Sequence, residues 1–79
     1  MHSFKEGELL NAVWCSQPDG FYAATGRTDA YGARSITVSM EAGQLANVPW
    51  AICEMVNGRT IRVNLAMAEA VGIADDGEG

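Results

Sequence analysis

The chain has 79 residues and a net charge of −5, and 48% of its residues are hydrophobic. This length predicts one domain, and no apolar run approaches the roughly 20 residues that a membrane-spanning helix needs. The ten acidic residues outnumber the five basic ones, which argues against direct binding to nucleic acid or an anionic membrane and favours a protein partner with a basic surface.

The first half of the chain alternates between strand and turn signals. Glu8–Cys15 and Phe21–Ala24 are apolar enough for two strands, and the Pro-Asp-Gly sequence between them predicts a turn. A loop rich in Gly, Asp and Thr follows over Gly26–Ala33, with Tyr31 near its tip. Ser35–Met40 then alternates strictly between polar and apolar residues, which predicts a half-buried strand.

A β-hairpin is predicted from Trp50 to Leu65. Asn57-Gly58 lies between two apolar-alternating runs and suits a two-residue type I′ turn, in which both central residues have positive φ. That turn would pair Val56 with Arg59, Glu54 with Ile61, Ile52 with Val63 and Trp50 with Leu65. One face would then carry Trp50, Ile52, Ile61, Val63 and Leu65, and the other Ala51, Cys53, Met55, Thr60, Arg62 and Asn64.

The pattern changes after the hairpin. Ala66–Val71 has high helix propensity, Asn64 is a suitable N-cap and Gly72 a suitable stop, so we expect a short helix, with a sixth strand as the alternative. The acidic run at 75–79 reads as a solvated tail, which leaves 1–74 as the globular domain.

The predicted fold is therefore mainly β (α+β). Five strands in antiparallel meander order, with one short C-terminal helix, would curl into a small SH3-like or OB-like partly closed barrel. A flatter antiparallel sheet with the helix packed on one face is the alternative.

The sequence lacks the residues of common active sites. The single histidine is His2, near the terminus, and no phosphate-binding glycine motif or Cys-x-x-Cys pair is present. We therefore expect no enzyme, no cofactor and no metal. Cys15 and Cys53 are expected to be small buried hydrophobes in a reducing compartment, with a disulfide as the alternative. The first residues lack the apolar stretch of a secretory signal, so a cytoplasmic location is the default expectation.

Part of the chain resembles the Tudor-type SH3-like barrels. The resemblance rests on Phe4–Glu8, Ala12–Trp14 and Asp19–Ala24, which look like their opening hairpin, and on Arg62–Leu65, which is similar to their closing strand. It implies a barrel that reads methylated lysine or arginine through an aromatic cage, with Trp14 and Tyr22 as the first wall. The acidic aromatic-Gly-Asn stretch of these domains is replaced here by Ser35–Met40.

Two functions fit the composition. The first is a non-enzymatic acidic inhibitor that occupies the basic surface of a nucleic-acid-handling machine by nucleic-acid mimicry, as anti-CRISPR or anti-restriction proteins of phage do. The alternative is an SH3/Tudor-like peptide-binding module or a homo-oligomeric scaffold, such as a homodimer, and an exposed apolar patch at Cys53 and Met55 would point to self-association. The candidate contact residues are Asp29, Tyr31, Glu41, Glu54, Asp75 and Asp76.

The aromatic residues divide by expected burial. We expect Trp14, Trp50 and Phe21 in the core, because large rings dominate the core of a chain this small. Tyr22 and Tyr31 are expected to be more exposed, and Tyr31 is the best single contact residue because it lies on a glycine-flanked loop.

Overall fold

A computed structural model describes residues 3–16 and 20–73 of the chain. Within them, six strands form a single mixed sheet, which confirms the mainly β class. The strands are β1 (Leu9–Cys15), β2 (Phe21–Thr25), β3 (Gly32–Ala42), β4 (Asn47–Met55), β5 (Thr60–Asn64) and β6 (Ala70–Ile73). The predicted tail at 75–79, with Asp75 and Asp76, lies outside the described residues.

The strands follow one another across the sheet in the order β5-β4-β3-β2-β1-β6, and β3 also pairs with β1. Most neighbours are antiparallel, but β2 and β3 pair in parallel, Ala24 with Gly32 and Thr25 with Ala33. The predicted antiparallel meander is therefore wrong at this step. The loop 26–31 brings the chain back to the end of β2. β3 therefore begins beside the last residues of β2 and runs in the same direction.

The sheet curls but is not closed into a barrel. β5 and β6 lie at its two edges, and no ladder joins them in the part of the chain that the structure describes. Inward-facing residues of β1 and β2 nevertheless line the same cavity as inward-facing residues of β5: Cys15 and Phe21 on one side, Ile61 and Val63 on the other. The two halves of the sheet thus face each other across the core and leave an open seam between β2 and β5.

The predicted C-terminal helix is wrong, and the alternative, a sixth strand, is correct. Asn64 does accept a hydrogen bond on its side-chain oxygen from the amide of Ala66, at 2.9 Å, as an N-cap would. The turn does not continue, because the Glu69 amide donates to the carbonyl of Trp14 at 2.8 Å and the chain then pairs with β1. Hydrogen bonds to the open edge of β1 outweigh helix propensity, which is a weak preference of tenths of a kcal/mol per residue.

The hairpin forms where the sequence predicts it, but its register differs by one residue. Glu54 pairs with Thr60, not with Ile61, and Trp50 pairs with Asn64, not with Leu65. The amide of Gly58 donates to the carbonyl of Met55 at 2.9 Å, and the Met55 amide donates to the carbonyl of Arg59 at 2.8 Å. The loop therefore has three residues, and only its last, Gly58, has a positive φ, of 93°.

This shift turns β4 over. Ala51, Cys53 and Met55 are buried, whereas Trp50 and Ile52 lie half-buried on the outer face. On β5 the predicted face is correct, since Ile61 and Val63 point inward. Because side chains alternate with a period of two, a one-residue slip moves every side chain of one strand to the opposite face.

The core lies on the concave side of the sheet. Ile36 and Val38 of β3 are 1% and 0% exposed, which confirms the predicted alternation of that strand. The buried apolar set is Leu10, Val13, Cys15, Ala23, Ala33, Ile36, Val38, Ala51, Cys53, Met55, Val63 and Leu65. Both cysteines are buried, and neither forms a disulfide. No helix long and apolar enough to cross a membrane occurs in residues 3–16 and 20–73.

The register of the hairpin can be tested by replacing one isoleucine with alanine on each face of the sheet. We expect Ile36→Ala to lower the free energy of unfolding by about 2–5 kcal/mol, because it opens a cavity in the core. Ile52→Ala should cost about 1 kcal/mol, since Ile52 lies on the outer face and loses only cross-strand contacts. Urea unfolding followed by circular dichroism measures both. Equal losses would place Ile52 in the core and contradict the register described here.

Candidate functional site

Three aromatic rings lie in a row on the outer surface, and we call Trp14, Tyr22 and Tyr31 the aromatic ridge. The ring centroids of Trp14 and Tyr22 are 6.5 Å apart, and those of Tyr22 and Tyr31 are 6.0 Å apart. Trp14 is 39% exposed and Tyr31 is 52% exposed. Tyr22, between them, is half-buried. A contiguous row of aromatic rings that reaches the surface in this way is typical of an interaction site.

Strand alternation places the first two rings of the ridge. Trp14 pairs with Tyr22 across the antiparallel β1–β2 ladder, and both rings lean outward. The chain neighbours of Trp14, Val13 and Cys15, are 1% and 6% exposed and fill the concave side. The expectation that Trp14 belongs to the core is therefore wrong: Val13 and Cys15 occupy the inward positions, which leaves Trp14 on the other face.

The third ring is held by the loop 26–31, which is closed by hydrogen bonds at several points. The Asp29 side chain accepts from the amide of Tyr31 at 3.1 Å, and the amide of Gly32 donates to the carbonyl of Asp29 at 2.9 Å. The Ala24 amide donates to the carbonyl of Tyr31 at 3.0 Å, which ties the loop to β2. Tyr31 is thus a ring on a loop held by hydrogen bonds, and its role as a contact residue stays a prediction.

Arg27 packs against the ridge and is itself held by Asp29. Its guanidinium carbon lies 5.8 Å from the centroids of both the Tyr22 and the Tyr31 rings. Nε and a terminal nitrogen of Arg27 donate to the two carboxylate oxygens of Asp29, the former at 3.0 Å. The hydrogen bond from Arg27 holds the pKa of the Asp29 carboxyl below its usual value of 3.8, and it raises the pKa of Arg27. The cation–π position between the two tyrosines is therefore occupied by the chain's own cation.

Two shallow depressions flank Tyr22. One, of about 270 Å³, is walled by Trp14 and Tyr22, and Ala12, Ala70 and Gly72 are among the small residues that line it. The other, also about 270 Å³, lies between Tyr22 and Tyr31 and extends to Arg59 and Ile61 of the hairpin. Small residues beside large rings make a surface of alternating ridges and hollows, which suits a ligand with regularly spaced apolar groups.

The predicted acidic contact residues are dispersed. Asp29 belongs to the ridge loop. Glu41 lies near the end of β3, where its carboxylate is 3.4 Å from Arg62 of β5. Glu54 is exposed on β4, next to the hairpin loop. The structure therefore brings Asp29 and Tyr31 together and leaves Glu41 and Glu54 on other parts of the sheet.

Other kinds of site find little support. In residues 3–16 and 20–73, no three His, Cys, Asp or Glu side chains are placed to hold a metal ion. Burial raises the pKa of the Cys53 thiol to about 11, so this sulfur is protonated and unreactive at neutral pH. Cys53 and Met55, predicted as an exposed patch for self-association, are 0% and 3% exposed. That patch does not exist because β4 is turned over.

Sequence reasoning identified Tyr31 but missed the ridge as a unit. The sequence predicts Trp14 in the core and gives no indication of the contact that Arg27 makes with the rings. The signal that could have found the ridge is the two-residue alternation of Val13 and Cys15 around Trp14, together with the antiparallel pairing of the first two strands, which sets Trp14 opposite Tyr22. Comparison with protein families, with curated proteins and with solved structures finds no match to this chain. No family match therefore supports the resemblance to Tudor-type barrels. The closing strand that it predicts, Arg62–Leu65, overlaps the edge strand β5, which does not close the sheet.

The ridge depends on Gly32. A Cβ atom at this position would collide with the carbonyl oxygen of Arg27, and it would lie 3.2 Å from the carbonyl oxygen of Asp29. We expect Gly32→Ala to displace the loop 26–31 and to alter the near-ultraviolet circular dichroism of the coupled rings. Gly43→Ala is the matched control, because its Cβ would meet the Ala46 carbonyl oxygen at 2.6 Å in a turn far from the ridge. Identical aromatic spectra for the two variants would contradict this role of Gly32.

The order of the loop should also depend on pH. Because the pKa of Asp29 is lowered, its support of Arg27 is complete above the ordinary carboxyl pKa and is lost as the pH falls through the lowered value. We expect the amide resonance of Tyr31, which donates to Asp29, to shift only below the usual carboxyl range. Asp29→Asn should abolish that step. A midpoint at or above the ordinary carboxyl pKa would contradict the assigned contact.

Proposed function

We propose that this protein is a small, non-enzymatic peptide-binding module, and that the aromatic ridge receives an extended proline-rich segment of a partner protein. The observation that carries the proposal is the row of Trp14, Tyr22 and Tyr31, in which the outer two rings are exposed and the half-buried Tyr22 has a depression on each side. Tryptophan and tyrosine bury large areas at low cost in side-chain entropy, which is why they dominate the energetics of protein interfaces.

The shape of a polyproline II helix suits this surface. Such a helix has three residues per turn and rises about 3.1 Å per residue, so it presents apolar rings at regular intervals without internal hydrogen bonds. Proline rings entering the hollows beside Tyr22 would pack on aromatic faces. The carbonyl groups of the segment remain free to accept hydrogen bonds from the Trp14 indole and the tyrosine hydroxyls.

The stiffness of the site supports the same proposal. The ridge is built on two paired strands and on a loop closed by Asp29 and Gly32. A preformed site and a ligand that is already extended both lose little conformational entropy when they meet. Binding would therefore require no rearrangement of the sheet.

A second candidate is the acidic inhibitor that occupies a basic protein surface. The net charge of −5 favours it, and Glu54 is an exposed carboxylate. The acidic-inhibitor proposal has weaker support. In residues 3–16 and 20–73, every carboxylate except Glu54 accepts a hydrogen bond or forms an ion pair within the chain. Mimicry of phosphates needs carboxylates that are free and close together, and Glu41 and Glu54 lie apart on the sheet.

Titration with a polyproline peptide and with arrayed proline-rich peptides, followed by calorimetry, tests the first proposal. We expect Trp14→Ala and Tyr31→Ala each to weaken binding by about tenfold or more, as aromatic contact residues do. Trp50→Ala is the matched control, because Trp50 also packs with an arginine, Arg62 at 5.0 Å, but lies on β4, outside the ridge. It should bind like the unmodified protein.

Salt separates the two candidates. Binding through apolar rings should change little between low and high ionic strength, whereas capture of a basic surface should weaken steeply. If no proline-rich peptide binds, or if Trp50→Ala weakens binding as much as Trp14→Ala, the ridge is not the site. If Glu54→Gln and added salt abolish capture of a basic partner while Trp14→Ala does not, the acidic inhibitor is the better description.

A further inference from the structure

The seam between β2 and β5 has a free strand edge on one side. β5 pairs only with β4. The Met55 amide donates to the carbonyl of Arg59 and the Leu65 amide donates to the carbonyl of Pro49, at 2.8 and 2.9 Å. Because hydrogen-bonded pairs alternate along an antiparallel ladder, the backbone groups of Thr60 and Arg62 point away from β4, toward the seam.

The seam is apolar where these backbone groups open onto it. A cavity of about 260 Å³ is lined there by Cys15, Phe21, Ile61, Val63 and Met67, together with Arg62 and Asn64. Met67 is 62% exposed beside it. An open strand edge next to an apolar hollow provides both backbone hydrogen bonds and space for alternate side chains of an added strand.

The charge of the seam differs from that of the whole chain. The seam contains the cavity of about 260 Å³ and, toward the hairpin loop, the depression between Tyr22 and Arg59. Among the described residues that line these two cavities there is no carboxylate, although the protein has ten acidic residues. Arg62 is engaged by Glu41 at 3.4 Å and by the Trp50 ring at 5.0 Å. Arg59 makes no ion pair in residues 3–16 and 20–73 and lies at the hairpin end of the seam. A carboxylate from outside would therefore find a cation and no competing acid.

We propose that the seam binds an extended, acidic segment of a partner protein as an added strand beside β5. Antiparallel addition is the more stable geometry. From its N-terminal end to its C-terminal end, the ligand places its first, third and fifth side chains inward, beside Val63, Ile61 and Arg59 in that order. The segment then has the pattern apolar–x–apolar–x–acid, with the two x residues directed outward beside Arg62 and Thr60.

This site adjoins the proposed proline-rich site, because the depression that extends from Tyr22 and Tyr31 to Arg59 and Ile61 borders both, but it binds its ligand in a different way. It uses backbone hydrogen bonds of an edge strand, and its ligand is an acidic β-strand, whereas the ridge uses aromatic faces. Trp14 lines neither cavity of the seam. Trp14→Ala should weaken binding of proline-rich peptides by about tenfold or more and leave the added strand in place, whereas blocking the backbone hydrogen bonds of the added strand should leave binding of proline-rich peptides unchanged, so each proposal can fail without the other.

The test uses a capped peptide of sequence Val-Thr-Ile-Thr-Glu and the full chain. In the bound peptide, the two threonine amides face β5 and the isoleucine amide faces away. We expect the amides of Thr60 and Arg62 to become protected from hydrogen exchange by about tenfold or more at saturation. N-methylation of either threonine should abolish binding, whereas N-methylation of the isoleucine, the matched control, should leave it within a few-fold.

The acidic position is tested by a double-mutant cycle. Arg59→Gln, or replacement of the peptide glutamate by glutamine, should each weaken binding by about tenfold, as loss of a charge-assisted hydrogen bond does, and the two changes together should cost no more than one alone. Arg34→Gln is the charge-matched control, because Arg34 is an exposed arginine of β3 and does not line the seam. It should have no effect.

Three results would overturn the proposal. Binding that survives threonine N-methylation excludes the added strand, and binding that is insensitive to Arg59→Gln excludes the acidic ligand. Protection of the Thr60 and Arg62 amides without peptide, rising with protein concentration as a dimer forms, would show that a second copy of this chain covers the edge instead.

Discussion

The architecture depends on the alternation of side chains across a single curled sheet, because only one face of that sheet is covered. Successive residues of a strand point to opposite faces of the sheet, so the register between paired strands decides which residues are buried and which are exposed. The three-residue loop that ends at Gly58 sets this relation between β4 and β5. It places Cys53 opposite Ile61 in the core. The same register leaves Arg62 on the outer face, against Trp50.

Two further irregularities adjust the alternation where the chain bends. The pairing of β1 with β6 shifts between Leu10 and Ala12, and the pairing of β3 with β4 shifts between Ala33 and Ser35. Each inserts one residue, Asn11 or Arg34, so that inward positions on both sides of the bend still face the core. At the first of these, the side-chain oxygen of Asn11 occupies the space that a Cβ at Gly72 would take.

How much of this could be predicted depends on how many constraints act on each segment. Ser35–Met40 was predicted correctly because its two faces differ strongly in polarity, so only one orientation buries Ile36 and Val38. The hairpin offered no such contrast: Ile52 and Cys53 are both apolar, and either can be buried. Turn chemistry then had to decide the register, and Asn-Gly is compatible with both the two-residue and the three-residue loop. The helix prediction failed because an open edge of β1 is a long-range feature that a local propensity cannot represent.

The site was predictable in part for the same reasons. Tyr31 could be identified because a ring in a glycine-rich loop has few ways to be buried. Arg27 and Asp29 are only two residues apart, but the contact of Arg27 with the Tyr22 ring depends on the parallel pairing of β2 with β3. Sequence-local reasoning gives no access to that pairing. The acidic residues were grouped by charge alone, and charge does not bring together residues that a sheet separates.

An open seam in so small a protein also has an energetic consequence. Closing the sheet through β2 and β5 would supply backbone hydrogen bonds to Thr60 and Arg62 and would fill the hollow beside Phe21 and Ile61. The chain instead leaves these backbone groups to water and forgoes the packing contacts of the cavity walls. Proteins usually protect such an edge with charge, and Arg62 is the charged residue of β5. Its guanidinium is drawn to the outer face by Trp50 and Glu41, so the concave side of the edge stays apolar and open to a ligand. The charge of Arg62 can thus hinder nonspecific strand pairing from the outer face of β5. The concave face of the same strand remains accessible to a specific added strand.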